Sequence, residues 1–260
     1  MFLSEPRRTS YDINFSFFGF PVRVHPAFFI LPLLLGKGMV SGMNMGVGLL
    51  LVAGIFFVSI LIHELGHAIA FRYFGKPSRI VLYWMGGLAI PDRVSGGWMG
   101  KRAGSPLNSN QQIVVSLAGP VFGFLLAAAL VGVVYLIGGQ MVINDLNAIP
   151  LPQPILEGTV FADTQPMFVL LWGGIALNII LNVFNLVPIY PLDGGQVARQ
   201  VMIQMDPQDG ARNSIFLSIG AAVLIAVFCF SIKETFMAVF FGFMAYSNYQ
   251  TLQRFSGPRW

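Results

Sequence analysis

Cysteine is nearly absent. Cys229 is the single one in 260 residues, so no intramolecular disulfide can form and no cysteine-based zinc knuckle can be built. Charge is scarce as well: Asp, Glu, Lys and Arg make up 10% of the chain against 55% hydrophobic residues, and the mean hydropathy is +0.72. A soluble domain of this size could hardly stay in solution with that balance, so the composition describes a multi-pass membrane protein. The net charge of +4 does not point to nucleic acid, because the basic residues are scattered among loops and no basic stripe with interleaved aromatics occurs. Positive loops facing the cytoplasm explain it better. The opening MFLSEPRRTSYDINFSFFG lacks an uninterrupted apolar core followed by a small-residue cleavage site. No cleaved signal peptide is expected, and the first span acts as the insertion signal.

Histidine is rarer than any charged type, at three residues, and two of the three fall in one apolar run. Residues 57–74 read FVSILIHELGHAIAFRYF. On a helix, His63 and His67 lie on one face and can present two imidazoles to one metal ion, with Glu64 beside them. This is the H-E-x-x-H arrangement, in which the acidic residue serves as general base of a zinc hydrolase. The bland alternative is a helix whose histidines only hydrogen-bond neighbouring helices, but ionisable groups within a span carry a cost that favours function. A metzincin would continue the motif to a third histidine, whereas here the corresponding positions are Ala70 and Tyr73.

The remaining chain is expected to be all-α and multi-pass, with about six transmembrane helices and a short membrane-associated β-hairpin or sheet. Alternation around Gly19 over 13–24 suits a hairpin at the membrane surface. Spans are expected at 26–42 (weakened by Lys37), 49–74, 113–137, 167–187, 215–232 and 236–249. Residues 80–90, IVLYWMGGLAI, are too short to span and rich in strand formers, so they read as a strand or hairpin bent at Gly86 and Gly87. Ala118-Gly119-Pro120 opens the third span with small residues that let a neighbouring helix approach closely. Asn178, Asn182 and Asn185 form a polar stripe that must face protein or water rather than lipid. Prolines 188 and 191 break the fourth span before Leu192-Asp193-Gly194-Gly195, a kind of break that membranes tolerate beside a cavity or buried protein.

Lys and Arg bias places both termini and the 75–112 loop in the cytoplasm. The second and fourth spans then both run inward and bring His63, His67 and Asp193 to similar depth. A catalytic zinc takes three protein ligands and leaves one position open for water. Glu157 and Glu234 fall in loops of the outer side, so Asp193 is the candidate third ligand, although Leu-Asp-Gly-Gly reads equally as a turn capping the next helix. His25, before the first span, is better suited to hydrogen bonding than to metal.

Together, His63-Glu64-Leu65-Gly66-His67, Ala118-Gly119-Pro120 and the run from Phe184 through Asn185 and Pro188 to Leu192-Asp193-Gly194-Gly195 resemble the site-2 protease family of intramembrane metalloproteases. The likeness extends over about residues 25–200, with His25-Pro26 and Gly86-Gly87 included. It implies that His63, His67 and Asp193 bind one zinc per chain, that Glu64 activates the water, and that Asn185 helps to hold substrate or the developing oxyanion. Family members often carry Asn shortly after Ala-Gly-Pro, where this chain has Gly123.

The implied organisation is an interfacial segment at 1–25, a single transmembrane metalloprotease domain at 26–250 with its core at 45–200, and a tail at 251–260. The implied partners are a transmembrane protein substrate and membrane lipid, with no nucleic acid. The implied activity is hydrolysis of a peptide bond within or near a transmembrane segment, on the cytoplasmic side. A helical substrate must unwind first, and residues 80–90 would either pair with it as an added strand or serve only as a surface anchor. The rival reading is a catalytically inactive homologue or a metal-binding transporter that binds transmembrane helices. A transporter usually shows paired repeats, and no second copy of the motif occurs.

Overall fold

The alternation over 13–24 is realised as a tight antiparallel hairpin of β1 (Ile13–Phe17) and β2 (Phe20–Val24), closed by Phe18 and Gly19 at φ +48° and +75°. Two successive positive φ angles belong to the turn whose twist matches the flanking strands. Phenylalanine rarely adopts that conformation. Here Arg72 fastens the turn, donating to the carbonyl oxygens of Phe18 and Gly19 at 3.2 and 2.9 Å while its guanidinium lies 3.4 Å from the centre of the Phe20 ring. A 3-10 turn, Pro26–Phe29, then leads into α1 (Ile30–Gly36).

The structure, a computed structural model, describes residues 5–36, 44–84, 86–92, 106–146, 149–161 and 164–256. Lys37 with the rest of the first expected span, and residues 85 and 93–105 of the basic 75–112 loop, lie outside the described residues. Next comes α2 (Met45–Tyr73), whose first turn is capped by Asn44 Oδ1, accepting from the Gly46 and Val47 amides. The short apolar run after it forms a hairpin of β3 (Ser78–Tyr83) and β4 (Gly86–Pro91), bent at the expected glycines. β2 and β3 pair in parallel, Val22 opposite Ile80 and Val24 opposite Leu82, so the two hairpins join into one sheet of order β1-β2-β3-β4. Alternate residues of a strand share a face. Phe20, Val22, Val24, Ile80 and Leu82 accordingly form one buried cluster with Phe28 and with Val52, Phe56, Ile60 and Leu65 of α2.

The chain continues through α3 (Ser109–Leu136), a hairpin of β5 (Gln140–Leu146) and β6 (Ile149–Ile155), α4 (Gln165–Asn185), α5 (Asp193–Met205), α6 (Gly210–Ser231) and α7 (Thr235–Ser256). Pro150, Pro152 and Pro154 occupy alternate positions of β6. Because proline cannot donate, any amide that β6 gives to β5 comes from the residues between them. The fold is mostly helical with two small sheets, and four helices of the described residues, α2, α3, α4 and α6, are long and apolar enough to cross a membrane. α7 has the length but is not among the four. By its contacts the chain divides into two compact units, Met1–Gly104 with Ala118–Asn182, and Ser105–Leu117 with Val183–Trp260. Val134, Leu156, Leu171 and Ile175 add a second core to the first unit, and Ile189, Ala222, Cys229, Phe241, Met244 and Ala245 form that of the second.

On the outer face of the four-stranded sheet, Glu5 accepts from Arg23 at 3.0 Å and from Arg79 at 2.8 Å, Asp12 accepts from Arg23 at 3.0 Å, and Asp92 pairs with Arg79. Hydrogen bonding from Arg79 holds the Glu5 carboxyl below its usual range, and the Thr9 hydroxyl does the same for Asp12. Depressed carboxylate pKa values contribute stability that is present above the unfolded values and lost as pH falls through the folded ones. Residues 5–12 are therefore expected to stay fastened to the sheet at neutral pH and to loosen below about pH 4. Amide exchange across this segment tests it; protection that persists unchanged to about pH 2 would contradict the pairing.

Candidate metal centre

The face of α2 turned into the protein carries, one turn after another, Ser59, His63 and His67, with Glu64 beside them. All four are buried, the last three at 4%, 7% and 6% exposure for His63, His67 and Glu64. Residues four apart share a helical face. The consequence is measurable: the Nε2 atoms of His63 and His67 lie 3.2 Å apart, with their ring planes at 79°. Two nitrogens bound at 2.0–2.1 Å to a tetrahedral zinc are separated by about 3.4 Å, so this pair already has the spacing of two ligands of one ion.

α3 reaches this face through its small residues. A Cβ on Gly119 would fall 2.2 Å from His67 Nε2 and 2.7 Å from His63 Nε2, and one on Gly66 would fall 2.4 Å from the Ala118 carbonyl oxygen. The close approach expected of Ala118-Gly119-Pro120 is therefore present, and it is directed at the two imidazoles. From the sheet, β4 does the same to Glu64. A Cβ on Gly87 would lie 2.3 Å from Glu64 Cγ, so only a bare backbone fits there. Tyr83, at the end of β3, has its phenol pushed up by burial and further by the negative charge of Glu64.

The asparagine stripe is split in its roles. Asn178 and Asn182 are fully buried and face protein: Asn182 Oδ1 lies 2.7 Å from His63 Nδ1, Asn182 Nδ2 donates to the Asn178 carbonyl, and Asn178 Nδ2 donates to Ser59 Oγ at 2.8 Å. Asn185 is the last residue of α4 and half-buried. The sequence reading missed Ser59, and it missed that Asn182 meets a histidine. The available signal was the shared spacing of four between Ser59 and His63 and between Asn178 and Asn182.

In the second unit, Asp193 is the first residue of α5 and is buried at 8% exposure. Leu192 holds the cap position and makes no side-chain cap bond, and Asp193 follows it in the first turn. The broken segment before it is held by two side chains that sequence reasoning did not single out. Ser218 Oγ accepts from the Tyr190 amide at 3.0 Å, and Asn248 Nδ2 donates to the Tyr190 carbonyl at 2.6 Å. His63 and His67 of the first unit can each offer a metal ion a nitrogen, and Asp193 of the second is a buried carboxylate able to offer an oxygen; Glu157 and Glu234 belong to no candidate metal group among the described residues. His25 takes the hydrogen-bonding role, its Nδ1 accepting from the Ala27 amide at 3.1 Å as cap of the 3-10 turn.

Comparison with known proteins agrees with this geometry. A zinc metalloprotease of Methanocaldococcus jannaschii is 29% identical over 195 residues, 74% of this chain and 46% of that protein. A putative zinc metalloprotease of Synechocystis is 30% identical over 200 residues, 73% of this chain and 44% of that protein. The chain thus spans less than half the length of these curated relatives. The solved site-2 protease from Methanocaldococcus jannaschii shares the fold, with a TM-score of 0.53 at 24% identity over 93% of this chain and 95% of that one. The profile of peptidase family M50 matches residues 51–227; covering more than half of the sequence, the match shows that the chain belongs to peptidase family M50, that of the site-2 proteases.

Proposed function

We propose that the protein is an intramembrane zinc metalloprotease that hydrolyses a peptide bond within or near a transmembrane segment of a membrane-bound substrate. The observation that carries this reading is the convergence of two imidazole Nε2 atoms 3.2 Å apart beside a buried glutamate, on a helix apolar and long enough to cross a bilayer. Asp193 serves as the third ligand: it is a buried carboxylate and completes the donor set of two nitrogens and one oxygen that a catalytic zinc takes, with one position left for water. Membership in family M50 and the zinc metalloproteases among its relatives support the same metal.

Zinc, when bound, lowers the pKa of water and polarises the scissile carbonyl. Glu64 takes the proton of that water and delivers it to the leaving amine; burial by β4 keeps the carboxylate from bulk solvent and strengthens its interactions. Asn185 donates to the oxygen of the attacked carbonyl as its charge develops. The substrate enters as an unwound segment and pairs with β4, which has no strand partner on its outer side among the described residues. An opened helix needs exactly such backbone partners at membrane depth, and Gly87 sets that edge directly against Glu64. The remaining spans, six in all, put both termini and the site towards the cytoplasm, as the Lys and Arg bias requires.

Purified protein is expected to carry about one zinc per chain and to cleave a synthetic transmembrane substrate. Glu64→Gln keeps the metal and loses about a hundredfold to ten-thousandfold in rate. Ala at His63, His67 or Asp193 lowers zinc occupancy, and so does Gly119→Ala, because its methyl group enters the space at His67 Nε2. Full zinc retention in Asp193→Ala sinks the ligand assignment, and undiminished cleavage by Glu64→Gln sinks the assignment of the base. Gly87→Val is expected to behave like Glu64→Gln, metal-loaded and slow; wild-type turnover in that variant would show that β4 does not back the glutamate.

A further inference from the structure

We propose that Asn182 is the positioning residue of the metal centre, fixing the tautomer and ring plane of His63, and that Gly123 is glycine because the amide of Asn182 occupies the place of its side chain. The inference rests on the reading of His63 as a metal ligand. Asn182 is fully buried on α4. Its Nδ2 lies 2.5 Å from the backbone carbonyl of Asn178, a group that only accepts. Turning the amide over would set two oxygens against each other, so the orientation is determined and Oδ1 is the atom that faces His63 Nδ1 at 2.7 Å. An amide oxygen cannot donate. Nδ1 must therefore carry the ring proton, which places the lone pair on Nε2, the atom that faces His67.

The amide is itself held. Asn178 Nδ2 donates to Ser59 Oγ and to the Gly174 carbonyl, both at 2.8 Å, so α2 and α4 are joined by two rungs, Ser59 to Asn178 and His63 to Asn182, each one helical turn apart on its own helix. A slide or rotation of α4 along α2 breaks both rungs at once. The third wall is α3, where a Cβ on Gly123 would fall 2.0 Å from Asn182 Nδ2 and 2.4 Å from both Cγ and Oδ1. Any side chain at 123 would compete with the amide for the same space. An asparagine there, with a small residue at 182, would in turn bring an amide to the same place from the other helix.

Partners of this kind on a metal-bound imidazole typically change metal affinity by about tenfold to a hundredfold. The test uses the full chain in detergent, with zinc dissociation followed by a chromophoric chelator and cobalt(II) loading followed by its visible ligand-field bands. Asn182→Leu and Asn182→Ala are expected to speed zinc release by about tenfold to a hundredfold and to alter the cobalt spectrum. Asn182→Ala combined with Gly123→Asn is expected to recover slow release and the wild-type spectrum. If the folded Leu and Ala variants release zinc as the wild type does, the proposal fails. It also fails if the double variant remains as weak as Asn182→Ala, because the loss then comes from the cavity and not from the amide. A wild type that takes up neither zinc nor cobalt overturns the reading of His63 as a ligand, an outcome separable from either of these.

Discussion

A carboxylate and two imidazoles buried in an apolar helix constrain everything around them. In water each would be solvated for little; between packed helices an unpaired polar group costs several kcal/mol. The surroundings of His63, Glu64 and His67 are shaped accordingly. α4 supplies the amide of Asn182 to one ring, α3 supplies bare backbone at Gly119 to both, and β4 supplies bare backbone at Gly87 to the glutamate. Each neighbour thus contributes either a hydrogen-bond partner or the absence of a side chain, and the latter leaves the space in which chemistry can take place.

The sheet packed against α2 joins two hairpins that would each be marginal alone, through the parallel pairing of β2 with β3. α2 covers the apolar face of the sheet through the cluster from Phe20 to Leu82, and in doing so it fixes the height of Glu64 relative to β4. Arg72, in the last turn of α2, ties the turn at Phe18 and Gly19 to the same helix. Position along α2 and position along the sheet are therefore not independent.

Much of this was legible in the residues. The motif in residues 63–67, the spans α2, α3, α4 and α6 and both hairpins of the first sheet follow from apolar run length, alternation and glycine placement, all of which are local. Non-local matters were not legible. The parallel pairing of β2 with β3 joins segments separated by a whole transmembrane helix, and nothing local encodes it. The β5–β6 hairpin hides behind three prolines that argue against a strand until their alternation is noticed. Asn182 announced itself as part of a stripe, but which face of α4 meets α2 depends on packing, so its histidine partner did not. The first expected span ends outside the described residues, and α7 is less apolar than the spans that precede it.

The central claim is that one zinc sits between the imidazoles of His63 and His67 with Asp193 as the remaining protein ligand. Zinc K-edge absorption on the purified protein measures this directly. The account expects four nitrogen or oxygen neighbours at about 2.0–2.2 Å, the multiple-scattering signature of two imidazoles, and the same first shell in Glu64→Gln. A sulfur neighbour at about 2.3 Å, or a shell without two imidazoles, would contradict it.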